Sequence, residues 1–363
     1  MVSPQLPPEM HGEILSHTGR HDLTVYCRAS KAFYELSVVV LYARIVVETQ
    51  AQIDHLLQVL DQQPRLATLL RSLTFHAFLG LPLSFPVDVN NLFRLTELNI
   101  SCLGMQVLDW AMENATLPCL KVFCARTMGR IHPDTLAGFL NRHPHITTLT
   151  VESGLPFTLN TILMLPALED ITAPPEVIAS LSCRTLRFAT VIWLDRDKDF
   201  VEILTRLALL SSARLLALSL TVHAPWPPDV ILAVAGVLPY IESLALKSSG
   251  TEAFLRVDPI NRVKIGEAVA QLTSLTHLEF SEYALVSRFY DGYNPTRWRP
   301  GWRLGQTLVE HWSSKCPTLT CIGLYGEIWE HEGTWTITST RNRPTAVEIK
   351  FIPLTITGEV ELI

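Results

Sequence analysis

The sequence predicts an α/β fold: a solenoid with parallel strands on its concave face and helices outside, led by a small three-helix head. Three observations carry this prediction. A short apolar phrase recurs at intervals averaging about 28 residues. Stripes of helical period lie between successive phrases. Residues 1–45 lack the phrase and carry three short helical signals instead.

Composition narrows the class. Of 363 residues, 48% are hydrophobic and 18% charged, which excludes a disordered chain. The net charge of -6 gives no electrostatic footprint for nucleic acid and disfavours an anionic membrane surface. Seven cysteines (Cys27, Cys102, Cys119, Cys124, Cys183, Cys316 and Cys321) are scattered along the chain without a regular framework. An odd, irregular set predicts reduced thiols in the cytoplasm or nucleus rather than a disulfide framework. Met1 to Glu9 carries no apolar run, so no secretory signal is expected. Between Leu215 and Ile241 the only charge is Asp229, but Pro225, Pro227 and Pro228 interrupt the stretch. It reads as two strands and a short helix, not as a membrane span.

The head comes first, over 1–45. Leu6-Pro7-Pro8-Glu9 puts prolines at a helix entrance, followed by an amphipathic turn through Ile14 and Leu15. Asp22-Leu23 reads as the N-cap and first turn of a second helix, and Ser30 caps a third that carries Phe33 and Leu36. Three such helices bury too little to be stable alone, so the head is expected to dock on something.

The repeats follow, over 46–325. In strict form the phrase is proline, any residue, an aliphatic, two residues, an apolar residue, one residue, another apolar residue. Pro118-x-Leu120-x-x-Phe123-x-Ala125 is one copy, and others start at Pro144, Pro166, Pro239 and Pro317. Without the proline it recurs at Leu70/Leu73/Phe75, Leu95/Leu98/Ile100, Leu215/Leu218/Leu220 and Leu275/Leu278/Phe280, with a weak copy at Cys183/Leu186/Phe188. The last two apolar positions alternate with polar ones, so both point to one face of a short strand. The proline disfavours helix for the residue before it and stops the preceding helix. Between phrases, Ile53, Leu56, Leu57 and Leu60 form one helical stripe. Pro133 opens a helix burying Leu136, Phe139 and Leu140. Phe200, Ile203, Leu204 and Leu207 form another stripe, and Leu304, Leu308, Val309 and Trp312 the last. Over 326–363, two strands between Gly326 and Ser339 and an alternation at Val347, Ile349 and Phe351 predict a capping sheet.

The repeats resemble the leucine-rich-repeat family over about residues 46–352, although the asparagine or cysteine that follows the strand in that family is missing from most copies. The head resembles the F-box, in the version that opens many fungal leucine-rich-repeat proteins. The matching words are Leu6-Pro7-Pro8-Glu9, Glu13-Ile14-Leu15, Asp22-Leu23, the run from Cys27 to Leu36, and Leu41-Tyr42-Ala43-Arg44-Ile45. Met10-His11-Gly12 and Thr18 depart from the family's aliphatic preference. In that family the module binds the Skp adaptor of a cullin–RING ubiquitin ligase, and the repeats hold a substrate. The resemblance implies that Leu6, Pro7, Ile14, Leu15, Leu23, Cys27 and Phe33 line the adaptor-facing or supporting surface. It further implies a non-enzymatic receptor with a Skp-type adaptor, and through it a cullin, as partners. The alternative is a scaffold without a ligase role, its head only sealing the end of the solenoid.

The sequence motifs support neither a cofactor nor a metal. The chain has no phosphate-cradling loop, dinucleotide fingerprint or nucleophile elbow. Asp195, Asp197 and Asp199 begin like a calcium loop, but Phe200 and Arg206 stand where glycine and glutamate are needed, so Asp199 reads as a helix cap. His17 and His21 lack a third ligand. His143 and His145 flank Pro144 and read as exposed loop residues, and the pairs Cys119/Cys124 and Cys316/Cys321 as core or loop thiols. One insertion is rich in the residue types of binding hot spots: Tyr283, Phe289, Tyr290, Tyr293, Trp298 and Trp302, interleaved with arginines. It either recognises a partner or folds back over the solenoid flank.

Overall fold

The computed structural model describes residues 8–77, 92–102, 112–113, 115–127, 131–154, 157–193, 200–211, 214–222, 229–248, 259–282, 302–324 and 327–340. The chain is an α/β protein whose sheet is mostly parallel, and it divides into two compact units, Met1–Leu220 and Thr221–Ile363.

The first unit opens with α1 (Pro8–Ser16), α2 (Arg20–Ala29) and α3 (Lys31–Ala43). Ser30 caps α3 as expected: its extended backbone lets the hydroxyl accept from Phe33 N–H at 3.2 Å. The start of α2 differs from expectation. Its N-cap is Gly19, which offers no side-chain bond, and Asp22 sits inside the first turn. There its charge favours the positive end of the helix dipole without capping it.

From α3 the chain runs directly into β1 (Arg44–Val47), then α4 (Gln50–Gln62), α5 (Pro64–Ala67), β2 (Ser72–Ala77), β3 (Glu97–Cys102) and β4 (Val122–Thr127). Next come α6 (Pro133–Arg142), β5 (Thr148–Ser153), β6 (Leu163–Met164), β7 (Asp170–Ala173), α7 (Pro175–Ser180), β8 (Leu181–Ser182), β9 (Phe188–Trp193), α8 (Phe200–Leu210) and β10 (Ala217–Val222). Thr49 and Gln52 close a reciprocal capping box at α4. Pro133 stands in the first turn of α6, where its missing N–H costs nothing.

Strands β1, β2, β3, β4, β5, β7 and β9 lie side by side and parallel, and β10 follows β9. Their register is the apolar phrase laid out in space. Ile45, Leu73, Leu98, Phe123, Leu149, Ile171 and Ala189 stand opposite one another, strand by strand. From Leu73 onward every member of that row is buried. A fully buried side chain of this size contributes about 1.5–3 kcal/mol, so the row is a principal source of cohesion. The register corrects one copy of the phrase. Ile171 faces Ala189, which makes the sixth copy Leu186/Ala189/Val191, three residues later than Cys183/Leu186/Phe188. Phe188 instead points away from the core and is 40% exposed. Alanine at the central apolar position hid the true frame.

Two further features were not expected. The short strands β6 and β8 pair in parallel as a second sheet. Beside it the Asn141 amide donates to Ile162 O at 3.0 Å and accepts from Met164 N at 2.7 Å, as a neighbouring strand would. His143, expected in an exposed loop, is only 3% exposed. It follows α6, and its Nε2 accepts from Leu117 N–H at 2.9 Å, which places the ring proton on Nδ1, 2.7 Å from Phe139 O. The ring lies 4.2 Å from Phe139, itself 4.7 Å from Phe123, so one imidazole ties neighbouring repeats together. Burial lowers its pKa.

At the residue after the leading aliphatic, threonine bonds back to the segment before the neighbouring strand. Thr96 Oγ1 donates to Arg71 O at 3.0 Å, and Thr147 Oγ1 to Lys121 O at 3.2 Å. The Lys121 carbonyl also accepts from the N–H groups of Thr147 and Thr148.

The second unit holds α9 (Asp229–Val237), β11 (Ser243–Ser248), α10 (Pro259–Val269), β12 (His277–Glu282), α11 (Trp302–Lys315), β13 (Cys321–Leu324), β14 (Glu327–His331) and β15 (Trp335–Thr340). Strands β11, β12 and β13 are parallel, while β14 runs antiparallel to both β13 and β15. The threonine device recurs from Thr276 Oγ1 to Glu242 O and from Thr320 Oγ1 to Thr276 O. On β13, Gly323 faces Glu279; an added Cβ would sit 3.0 Å from Glu279 Cγ, so glycine makes room for that side chain. The alternation at Val347, Ile349 and Phe351 lies outside the described residues.

Candidate functional site

Two surfaces of the first unit concentrate unusual side chains. The first is on the head. Leu15 of α1 and Leu23 of α2 are buried and form its small core. Cys27 and Phe33 are partly buried, and the Phe33 ring stacks on Tyr26 at 5.7 Å. Burial pushes the Cys27 thiol up, with the Ser37 hydroxyl acting against it. Ile14 is different: it is 51% exposed, and Met10, one turn earlier on the same face of α1, is exposed too. Leu6 and Pro7 lie outside the described residues.

Four exposed apolar side chains escaped the reading of the sequence: Val25, Tyr26, Tyr34 and Val39. The signal was available. Ten of the thirteen residues of α3 are apolar or aromatic. A helix apolar all round is normally enclosed on every side, yet α3 leaves Tyr34 and Val39 about half exposed. Together with Met10 and Ile14 they are large apolar side chains left exposed on the three helices.

The second surface is the face of the parallel sheet turned away from the helices. Its middle row runs Thr74, Asn99, Cys124, Thr150, Thr172 and Thr190 across successive strands. The row is therefore small and almost wholly polar. Toward the strand ends, His76, Ser101, Arg126 and Glu152 stand in register, and Arg126 Nε meets Glu152 Oε1 at 3.1 Å. Burial first, and then Arg126, lower the His76 pKa against the pull of Glu48. Burial drives the Cys124 thiol up to about 11, which makes it a poor nucleophile at neutral pH. Toward the strand starts lies a row of Ser72, Glu97, Val122, Thr148, Asp170 and Phe188. Burial raises the Asp170 carboxyl, with no opposing cause.

Among the described residues no group of three or more His, Cys, Asp or Glu could hold a metal ion. His17 meets Glu13 at 3.2 Å on the surface of α1. Cys119 is exposed, Cys124 and Cys316 are buried, and Cys321 is intermediate. No helix among the described residues is long and apolar enough to cross a membrane. The stretch from Leu215 to Ile241 instead supplies β10 and α9. The aspartates Asp195, Asp197 and Asp199 lie outside the described residues. So do Tyr283, Phe289, Tyr290, Tyr293 and Trp298, while Trp302 begins α11. No family model matches the chain, and no curated protein matches it.

Proposed function

We propose that this chain is a non-enzymatic substrate receptor of an SCF-type cullin–RING ubiquitin ligase. The head binds a Skp-type adaptor, and a leucine-rich-repeat solenoid binds a target protein through the polar face of its sheet. Holding target and ligase together raises the effective concentration for ubiquitin transfer by the other subunits. The observation that carries the reading is the exposure of Met10, Ile14, Tyr34 and Val39 on the helices of the head, while Leu15 and Leu23 are buried. Side chains needed only to seal the end of a repeat array would be covered by it.

The test is capture of purified Skp-type adaptor by the full chain. Wild type is expected to retain the adaptor, and Ile14→Glu and Tyr34→Glu to release it without loss of fold, since both positions are solvent-facing. Failure of the wild-type chain to bind overturns the reading. One observation favours the alternative of a ligase-independent scaffold capped by its head. The last helix of the head continues into β1, and Ala43 O accepts from Arg71 N–H at 2.9 Å, so head and sheet are built into each other. On that reading both glutamate variants leave every interaction of the chain unchanged.

A further inference from the structure

The row at the strand starts holds two carboxylates outside any ion pair. Among the described residues neither Glu97 nor Asp170 makes a salt bridge. Arg126, on this face, pairs with Glu152 two pleats further along. Glu97 and Asp170 are three strands apart in one register row, with Val122 and Thr148 between them. Three strand spacings come to about 14 Å. Beyond Asp170 the row ends on the exposed ring of Phe188, which already holds the Arg187 guanidinium 5.7 Å from its centroid. The row thus offers negative charge at two fixed points and a small apolar and hydroxyl floor between them.

An extended peptide advances about 3.3 Å per residue and points alternate side chains to one side, so residues i and i+4 are about 13 Å apart on the same face. That matches the separation of the two carboxylates. We propose that this row binds an extended segment of a partner protein carrying two basic side chains four residues apart, one over Glu97 and one over Asp170. A small or β-branched residue midway meets Val122 and Thr148. The inference rests on the receptor reading and names the chemistry of its target.

Fluorescence anisotropy on the full chain tests it with labelled twelve-residue peptides of threonine and valine. One peptide carries arginines four residues apart and one carries them three apart, with equal charge but opposite faces; a third has glutamine in both places. The i,i+4 peptide is expected to bind about tenfold more tightly than either control. Glu97→Gln and Asp170→Asn should each remove most of that advantage. Replacing the facing arginine in addition should then cost nothing further. The Asp170→Asn chain should unfold no earlier than wild type, which separates lost binding from lost fold. Equal affinity for the i,i+3 peptide means charge attraction without register and overturns the proposal, as does absence of binding or indifference to both substitutions. Adaptor capture is measured on the same samples. Retained adaptor with no peptide preference sinks this inference alone, whereas peptide preference without adaptor sinks the ligase reading.

Discussion

Replacing His143 with alanine tests the account of how neighbouring repeats are joined. The substitution strands the buried Leu117 N–H, now satisfied by Nε2 at 2.9 Å, and removes a ring in contact with Phe139. An orphaned buried donor costs about 1–3 kcal/mol and the lost ring contact about 1 kcal/mol, so the expected loss is about 2–4 kcal/mol. The same site makes stability depend on pH. Protonation turns Nε2 from acceptor to donor facing another N–H, so the folded state resists the proton, and burial lowers the folded pKa below 6.5. The unfolded chain binds that proton more readily. Stability from this residue is therefore complete above about pH 6.5 and is lost as pH falls through the depressed folded value. Urea unfolding between pH 7.5 and 5 measures both effects. His143→Gln keeps an acceptor without a titrating ring and should flatten the dependence while losing less stability than alanine. An alanine variant within 0.5 kcal/mol of wild type, or an unaltered slope for glutamine, refutes the reasoning.

Three other outcomes follow from the same packing and bonding. Thr147→Val should cost about 0.5–1 kcal/mol by urea unfolding, because the Lys121 carbonyl keeps its two backbone donors when the hydroxyl goes. Thr49→Ala breaks the capping box of α4 and should cost about 1 kcal/mol by the same measurement. Under native alkylation at pH 8, mass spectrometry should find exposed Cys119 modified well before Cys124, whose buried thiol is held near 11.

The strands were legible because burial imposes period two on every copy of the phrase, and Leu73, Leu98, Phe123 and Leu149 obey it. Legibility failed where a residue served two purposes. Ala189 fills an apolar position with the smallest side chain available, so the pattern slipped to Phe188. His143 beside Pro144 looks like a loop residue because its partner, Leu117 N–H, lies 26 residues away and leaves no local trace. The threonine rungs were missed for the same reason: each bonds the preceding repeat, and nothing nearby in the chain reveals it. In the head, the cap at Ser30 was readable from residue type, whereas Gly19 has no side chain to announce a helix start. The outer face of α3 was visible as an excess of apolar residues, yet only packing separates exposed Tyr34 from its partly buried neighbour Phe33. The alignment of Glu97 and Asp170 in one row, three strands apart, is a property of register and had no linear signature.

The most direct test of the central claim is amide hydrogen exchange of the full chain with and without purified Skp-type adaptor. The account predicts new protection within α1 and α3, around Ile14, Tyr34 and Val39, with the sheet from β2 to β5 unchanged. Saturating adaptor that leaves exchange in those helices unaltered would contradict it.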